Sequence, residues 1–137
     1  MVLVQSKSVR RIGAASLIVP IIDHLAAPTL TMLFAPAVMT IVFGPGAVAA
    51  AVFFISLGLF QIISIGIVMK SSNPSLLVLG ILGNLGSILI YFISTSGVTI
   101  FGVPPQPLVP FGVLIKALEA IFVAASAYLL PALDHSL

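Results

Sequence analysis

Four stretches of this chain are apolar on every face rather than at helical or alternate positions. They run over about 12–33, 47–69, 76–93 and 113–130, and only isolated polar side chains interrupt them. A helix on the surface of a soluble domain keeps a polar side opposite its apolar stripe. A segment that is apolar all round and about 20 residues long can instead cross a bilayer. The pattern predicts an all-α, four-span transmembrane helix bundle forming one domain over residues 1–137.

Composition sharpens that reading. Charged residues make up 6% of the chain and hydrophobic residues 61%, and the mean hydropathy is +1.35. A soluble domain carries roughly a quarter charged residues, so this chain cannot cover a water-facing surface, and lipid is the solvent that suits it. The expected location is the cell membrane, as a multi-pass protein with the lipid bilayer as its first partner. Five Lys and Arg are too few for the phosphate neutralisation that nucleic-acid binding requires. Cysteine is absent, which removes disulfides, thiolate metal sites and cysteine nucleophiles. Trp is absent too, so interfacial aromatics must be Tyr91, Tyr128 and Phe.

Charge placement predicts orientation. Lys7, Arg10 and Arg11 precede the first span, and Lys70 follows the second, before the turn SSNPS. The connections 36–46 and 94–112 carry no Lys or Arg. Cytoplasmic loops concentrate basic residues, so both termini are expected inside. Basic residues before an apolar run also fit a secretory signal, and Arg10–Arg11 a twin-arginine signal; a retained first helix is the expectation. Pro20 should kink that helix, because it lacks a donor and crowds the carbonyl one turn back. Pro28, Pro36 and Pro45 punctuate the chain up to Gly46. Residues 34–46 are read either as a bent continuation of the helix or as an interfacial segment.

The candidate chemistry lies in the few polar groups at membrane depth, where ionisable side chains are expensive and point to function. Lys116 and Glu119 stand three residues apart in the fourth span, on one helix face. They can pair structurally, with Lys116 snorkelling to the outer surface, or they can line a functional polar pocket. Asp23 and His24 are adjacent, so their side chains diverge by about 100° on a helix. With Glu119 they form a weak candidate metal set; no intrinsic metal or cofactor is expected. Gln61 and Asn84 read as interhelical hydrogen-bonding groups. Gly80, Gly83 and Gly86 form a small-residue stripe suited to close helix packing. The loop SGVTIFGVPPQPLVPFG (96–112) is too apolar to be freely solvated, so it folds over the bundle or packs on another protein. Nucleophile elbow, P-loop and dinucleotide-binding motifs are all absent, and no enzymatic activity is expected of the chain itself.

His24–Leu25, Gln61, the segment LGILGNLGSILIYFIS, the GVPP loop and KALE at 116–119 together carry a resemblance. Over roughly residues 20–130 the chain resembles a group of small, largely uncharacterised four-helix membrane proteins. That group has a GxxGN third helix, an SxTxG-like exit and a G-x-P outer loop. The resemblance implies the topology and supplies no reaction. In size and style the chain is also similar to small accessory subunits of archaeal membrane complexes such as ammonia monooxygenase. Two functions follow, the first being the expected one and the second its alternative. One is a non-catalytic accessory subunit docked to other membrane subunits. The other is a small transporter or ion-handling protein, acting as a homo-oligomer through Glu119 and Lys116.

Overall fold

A computed structural model describes residues 2–134, and among them the regular structure is helical throughout. The order is α1 (Val2–Ser16), α2 (Ile18–Phe34), α3 (Pro36–Phe43), a short 3₁₀ turn (Gly44–Gly46), α4 (Ala47–Lys70), α5 (Pro74–Thr95) and α6 (Pro110–Asp134). Four segments are long and apolar enough to cross a membrane: Ser6–Phe34, Pro36–Lys70, Pro74–Thr95 and Pro110–Pro131. The chain is a multi-pass membrane protein of the helix-bundle class. The first span packs on α4 and α6, and α5 packs on the same two helices from the other side. The four spans thus form a ring in chain order, the arrangement that short connections between antiparallel neighbours impose.

Proline and glycine set the breaks. The first span bends at Leu17, whose N–H bonds back only to Ala14 (3.3 Å). Pro20 lies one turn further on, where its missing N–H leaves the Ser16 carbonyl without a helical donor. The second break is at Ala35 (φ −147°, ψ 58°), immediately before Pro36, since the residue preceding proline is pushed out of the α region. Residues 36–43 form a short helix of their own, set off from α2 by the break at Ala35 and leading through the 3₁₀ turn into α4, so this stretch does not continue the first helix. Gly44, at φ +55°, ends α3 in a conformation that glycine adopts without steric cost. Asn73 caps α5 by accepting from the Ser75 N–H (2.9 Å), with Pro74 at the first helical position.

The expected polar flank before residue 12 is instead helical and continuous with the first span. Its Lys and Arg residues favour helix, and Arg10 is used structurally. Its Nη1 donates to the carbonyls of Val68 (2.6 Å) and Ser71 (3.0 Å) at the end of α4, where the helix leaves acceptors unfilled. Lys7, Arg10, Arg11 and Lys70 thereby share one end of the bundle, called here the cationic end. The tail expected after Pro131 is helical to Asp134, and His135 lies outside the described residues.

Two apolar clusters fill the interior. Leu17, Val68, Leu77, Phe122 and Leu129 pack toward the cationic end. Met39, Ala47 and Ala51 pack near the opposite, loop end. Between them, the buried stripe of each helix turns polar. On α5 the buried positions are Leu77, Gly80, Asn84 and Ser87, a helical repeat that carries apolar and polar residues on one face.

Of the glycine stripe, Gly80 and Gly83 face neighbours and Gly86 does not. A Cβ on Gly83 would run into the Phe60 ring of α4, whereas one on Gly86 would meet nothing within 4 Å. Gly58 matters as well, since a Cβ there would lie 2.6 Å from Leu25 Cγ, so it sets how closely α2 approaches α4. Gly83→Leu is expected to overpack the α4–α5 contact and cost about 1–3 kcal/mol, read as earlier thermal unfolding in detergent. Gly86→Ala should leave the unfolding temperature unchanged or slightly raised. Equal behaviour of the two variants would disprove the contact assignment.

Candidate functional site

The polar layer is one connected network. Glu119 is its hub, fully buried on α6. Lys116 Nζ lies 3.0 Å from both Glu119 oxygens and donates to Ser87 Oγ at 2.7 Å. Lysine nitrogen only donates, so the Ser87 hydroxyl accepts from it and gives its own hydrogen to Glu119 Oε1 (3.3 Å). The Gln61 amide nitrogen, near the middle of α4, donates to Glu119 Oε1 (2.9 Å) and to Asn84 Oδ1 (3.2 Å). Asn84 returns a donor to the Gly80 carbonyl one turn back (2.9 Å). His24 Nδ1 sits 2.9 Å from Gln61 Oε1, and His24 Nε2 lies 3.7 Å from Glu119 Oε1. The first span, α4, α5 and α6 each contribute at least one polar side chain.

Helix phase explains why these six residues meet. Lys116 and Glu119 fall on the stripe of α6 that also buries Ile115 and Phe122. Asn84 and Ser87 share the inner stripe of α5. Gln61 follows Gly58 by three residues on α4, so the close α2–α4 approach brings His24 within hydrogen-bonding reach of it. Asp23 and His24 diverge as expected. His24 points inward, 2% exposed, and its ring stacks on Phe54 (5.7 Å between centroids, 16° between planes).

One expected alternative is overturned, and one weak candidate set is not brought together. Lys116 does not snorkel: its ammonium turns inward and is 6% exposed, because Glu119, Ser87 and the face of Tyr91 (5.8 Å from the ring centroid) surround it with better partners than the headgroup region offers. The metal candidates do not converge either. His24 and Glu119 approach each other, but Asp23 is half-buried in a separate wall, and among the described residues no three His, Asp or Glu side chains could hold one ion. Ser87 and Phe54 escaped the sequence reading. Ser87 was within reach of it, lying three residues after Asn84 on the same face; the Phe54 stack depends on a helix pairing that spacing alone does not reveal.

Two cavities flank the network. One, of about 100 Å³, is lined by Ser87, Tyr91 and Lys116 below the 96–109 loop. The other, of about 210 Å³, is lined by Asp23, Pro28, Thr31 and Met39. Phe43 and Phe54 belong to both walls. The loop itself is tied to the α3–α4 corner. Gln106 Nε2 donates to the carbonyls of Val42 (3.3 Å) and Pro104 (2.8 Å), and the backbone of Gly102–Val103 lies so close to Gly46 that a Cβ there would be 2.5 Å from the Val103 nitrogen. Phe101 and Gly102 form the tip between Ile100 and Val103, with φ of +50° and +79°, as a tight two-residue turn requires. The loop does fold over the bundle, yet it leaves Phe101, Leu108 and Phe111 exposed.

These features define the class as a four-span membrane bundle with a self-contained ionic core. Comparison with known protein families, with curated proteins and with solved structures found no match.

Lys116→Met alone should be severely destabilising, by about 3–5 kcal/mol, because it strands the buried Glu119 carboxylate. Adding Glu119→Gln to it should restore part of that loss, since the amide needs no counter-ion. A double-mutant cycle on thermal unfolding in detergent measures this coupling. Additive effects would mean that the two groups act independently.

Proposed function

We propose that this chain is a small ion-handling protein of the cell membrane, with both termini on the cytoplasmic side, and that Lys116 and Glu119 are the centre of its site. One observation carries the reading: the charged pair is enclosed within a single protomer, hydrogen-bonded to α4 and α5 and linked through Gln61 to His24 of the first span. A pair serving to join subunits would face outward from the bundle, and this one cannot reach a partner. Nor does a purely mechanical role favour it. Apolar residues of similar volume usually hold a core at least as well as a buried ion pair. A site that must accept or pass charge needs such groups, and the two adjacent cavities bring open space to Asp23 on one side and to Lys116 on the other. The common end of Lys7, Arg10, Arg11 and Lys70 supports the cytoplasmic placement.

A second reading, a non-catalytic accessory subunit of a larger membrane complex, is favoured by the exposed apolar collar of Phe101, Leu108 and Phe111 around the loop. Phe101 is 82% exposed despite its left-handed backbone, a conformation costly for a bulky residue.

Flux into liposomes separates the two. Purified protein reconstituted alone should dissipate a gradient of H⁺, Na⁺ or K⁺, and the double variant Lys116→Met/Glu119→Gln, which strands no charge, should lower that flux about ten-fold or more while retaining the wild-type helical circular dichroism. No flux for any of the three ions, with stoichiometric larger membrane subunits in a native detergent extract, would replace this reading with the accessory one.

A further inference from the structure

The hydrogen-bond directions in the network leave one position for an additional proton. A carboxylate only accepts, so the Gln61 amide must present its nitrogen to Glu119, and that nitrogen's second hydrogen goes to Asn84. Gln61 Oε1 is thereby turned toward His24 and can only accept. The hydrogen of a neutral His24 must then sit on Nδ1, which leaves Nε2 as a bare lone pair. Nε2 faces Glu119 Oε1 across 3.7 Å. Two acceptors confront each other there, at a separation just beyond a hydrogen bond.

We infer that the ion handled by this site is the proton, and that it is held between His24 Nε2 and Glu119 Oε1. This deepens the ion-handling reading and rests on it. A proton delivered by water forms the Nε2–H bond, converts the imidazole to imidazolium and moves the site from neutral to one positive charge. The incoming N–H points at Glu119, so the gap closes to an ordinary charge-assisted hydrogen bond. Glu119 Oε1 already accepts from Gln61, Ser87 and Lys116, so the Lys116 ammonium yields that oxygen and keeps its bond to Oε2 (3.0 Å). The two protonation states differ by this short closure and by the shift of one Lys116 bond, as reversible uptake allows.

The surroundings fit. From α6, His24 is faced by the Glu119 carboxylate and, behind it, by the Lys116 ammonium. From α4 it meets Gln61 and the Phe54 ring, both neutral. From α5 only the neutral Asn84 and Ser87 enter the network. Asp23, next to His24 on α2, belongs to the wall of the larger cavity, which reaches the Phe54 ring stacked on the imidazole. Gln61 is a positioning residue: it selects the nitrogen that stays free.

The test is nitrogen-15 NMR of histidine-labelled protein in lipid bilayers, with His135→Asn leaving His24 as the only histidine. At high pH the Nδ1–H tautomer alone is expected. On acidification both nitrogens should become protonated while the backbone spectrum stays that of the folded protein. In Gln61→Leu the high-pH spectrum should shift to a tautomer mixture, a change that loss of packing alone does not produce. An Nε2–H tautomer at high pH overturns the inference, and so does a His24 signal that never titrates while the protein is folded. Flux of Na⁺ or K⁺ with a non-titrating His24 would overturn the proton assignment and leave the ion-handling reading standing. A titrating His24 without flux would retain the proton site and remove the transport role.

Discussion

The structure depends on one constraint: a carboxylate and an ammonium placed inside an apolar bundle must find all their partners within it. Lipid offers neither hydrogen bonds nor counter-ions, so Glu119 and Lys116 can be accommodated only if other spans bring polar groups to them. Gln61, Asn84, Ser87 and His24 do so, one or two from each remaining span. The rotation of each helix about its axis is coupled to this requirement. Turning α5 by one residue, for instance, would carry Asn84 and Ser87 away from the centre and leave bonds unmade. Apolar packing alone discriminates weakly among such rotations when every face of a helix is greasy. The polar layer supplies the discrimination, as buried polar groups do in other helix assemblies.

The close approaches around that layer serve the same end. Side-chain hydrogen bonds of about 3 Å between helices need backbones near enough for short side chains to meet, and small residues permit it. Gly58 lets α2 settle against α4 through Leu25, one residue from His24, and Gly13 meets Ala125 where α1 crosses α6. Prolines add a further adjustment. Pro20 bends the first span below His24, and Pro28, buried one turn above it, withholds a helical donor from the His24 carbonyl. The part of α2 that carries Asp23 and His24 is thus flanked by two weakened turns.

The outer surface answers to a different rule. Apolar side chains such as Ile41, Val48, Leu82 and Leu89 face outward along the spans, as lipid contact requires. At the loop end the backbone cannot be left bare, and the chain satisfies it with short local bonds: the Ile100–Val103 turn, the Gln106 N–H to the Ser94 carbonyl, and the Gln106 side chain to Val42. The loop therefore roofs the smaller cavity while still presenting Phe101 outward.

Hydrophobic runs of the right length, with basic residues clustered at one pair of connections, were enough to define the helical class and the number of spans, because the bilayer imposes those features on any chain that crosses it. The three-residue spacing of Lys116 and Glu119 was legible for the same local reason, since helix geometry sets it. The helical nature of residues 6–11 and of 36–43 was less legible, because neither polar side chains nor frequent prolines settle where an apolar helix starts. The network was not legible as a network. Gln61 and Asn84 could be marked as hydrogen-bonding groups, yet their partners lie on other helices, and which helices adjoin is decided by packing around the ring. Only the tertiary structure turned Lys116 inward, kept Asp23 away from Glu119, and placed Ser87 and Phe54 beside the charged centre. Those outcomes depend on how four nearly uniform apolar cylinders are rotated against one another, and no spacing within a single helix records that rotation.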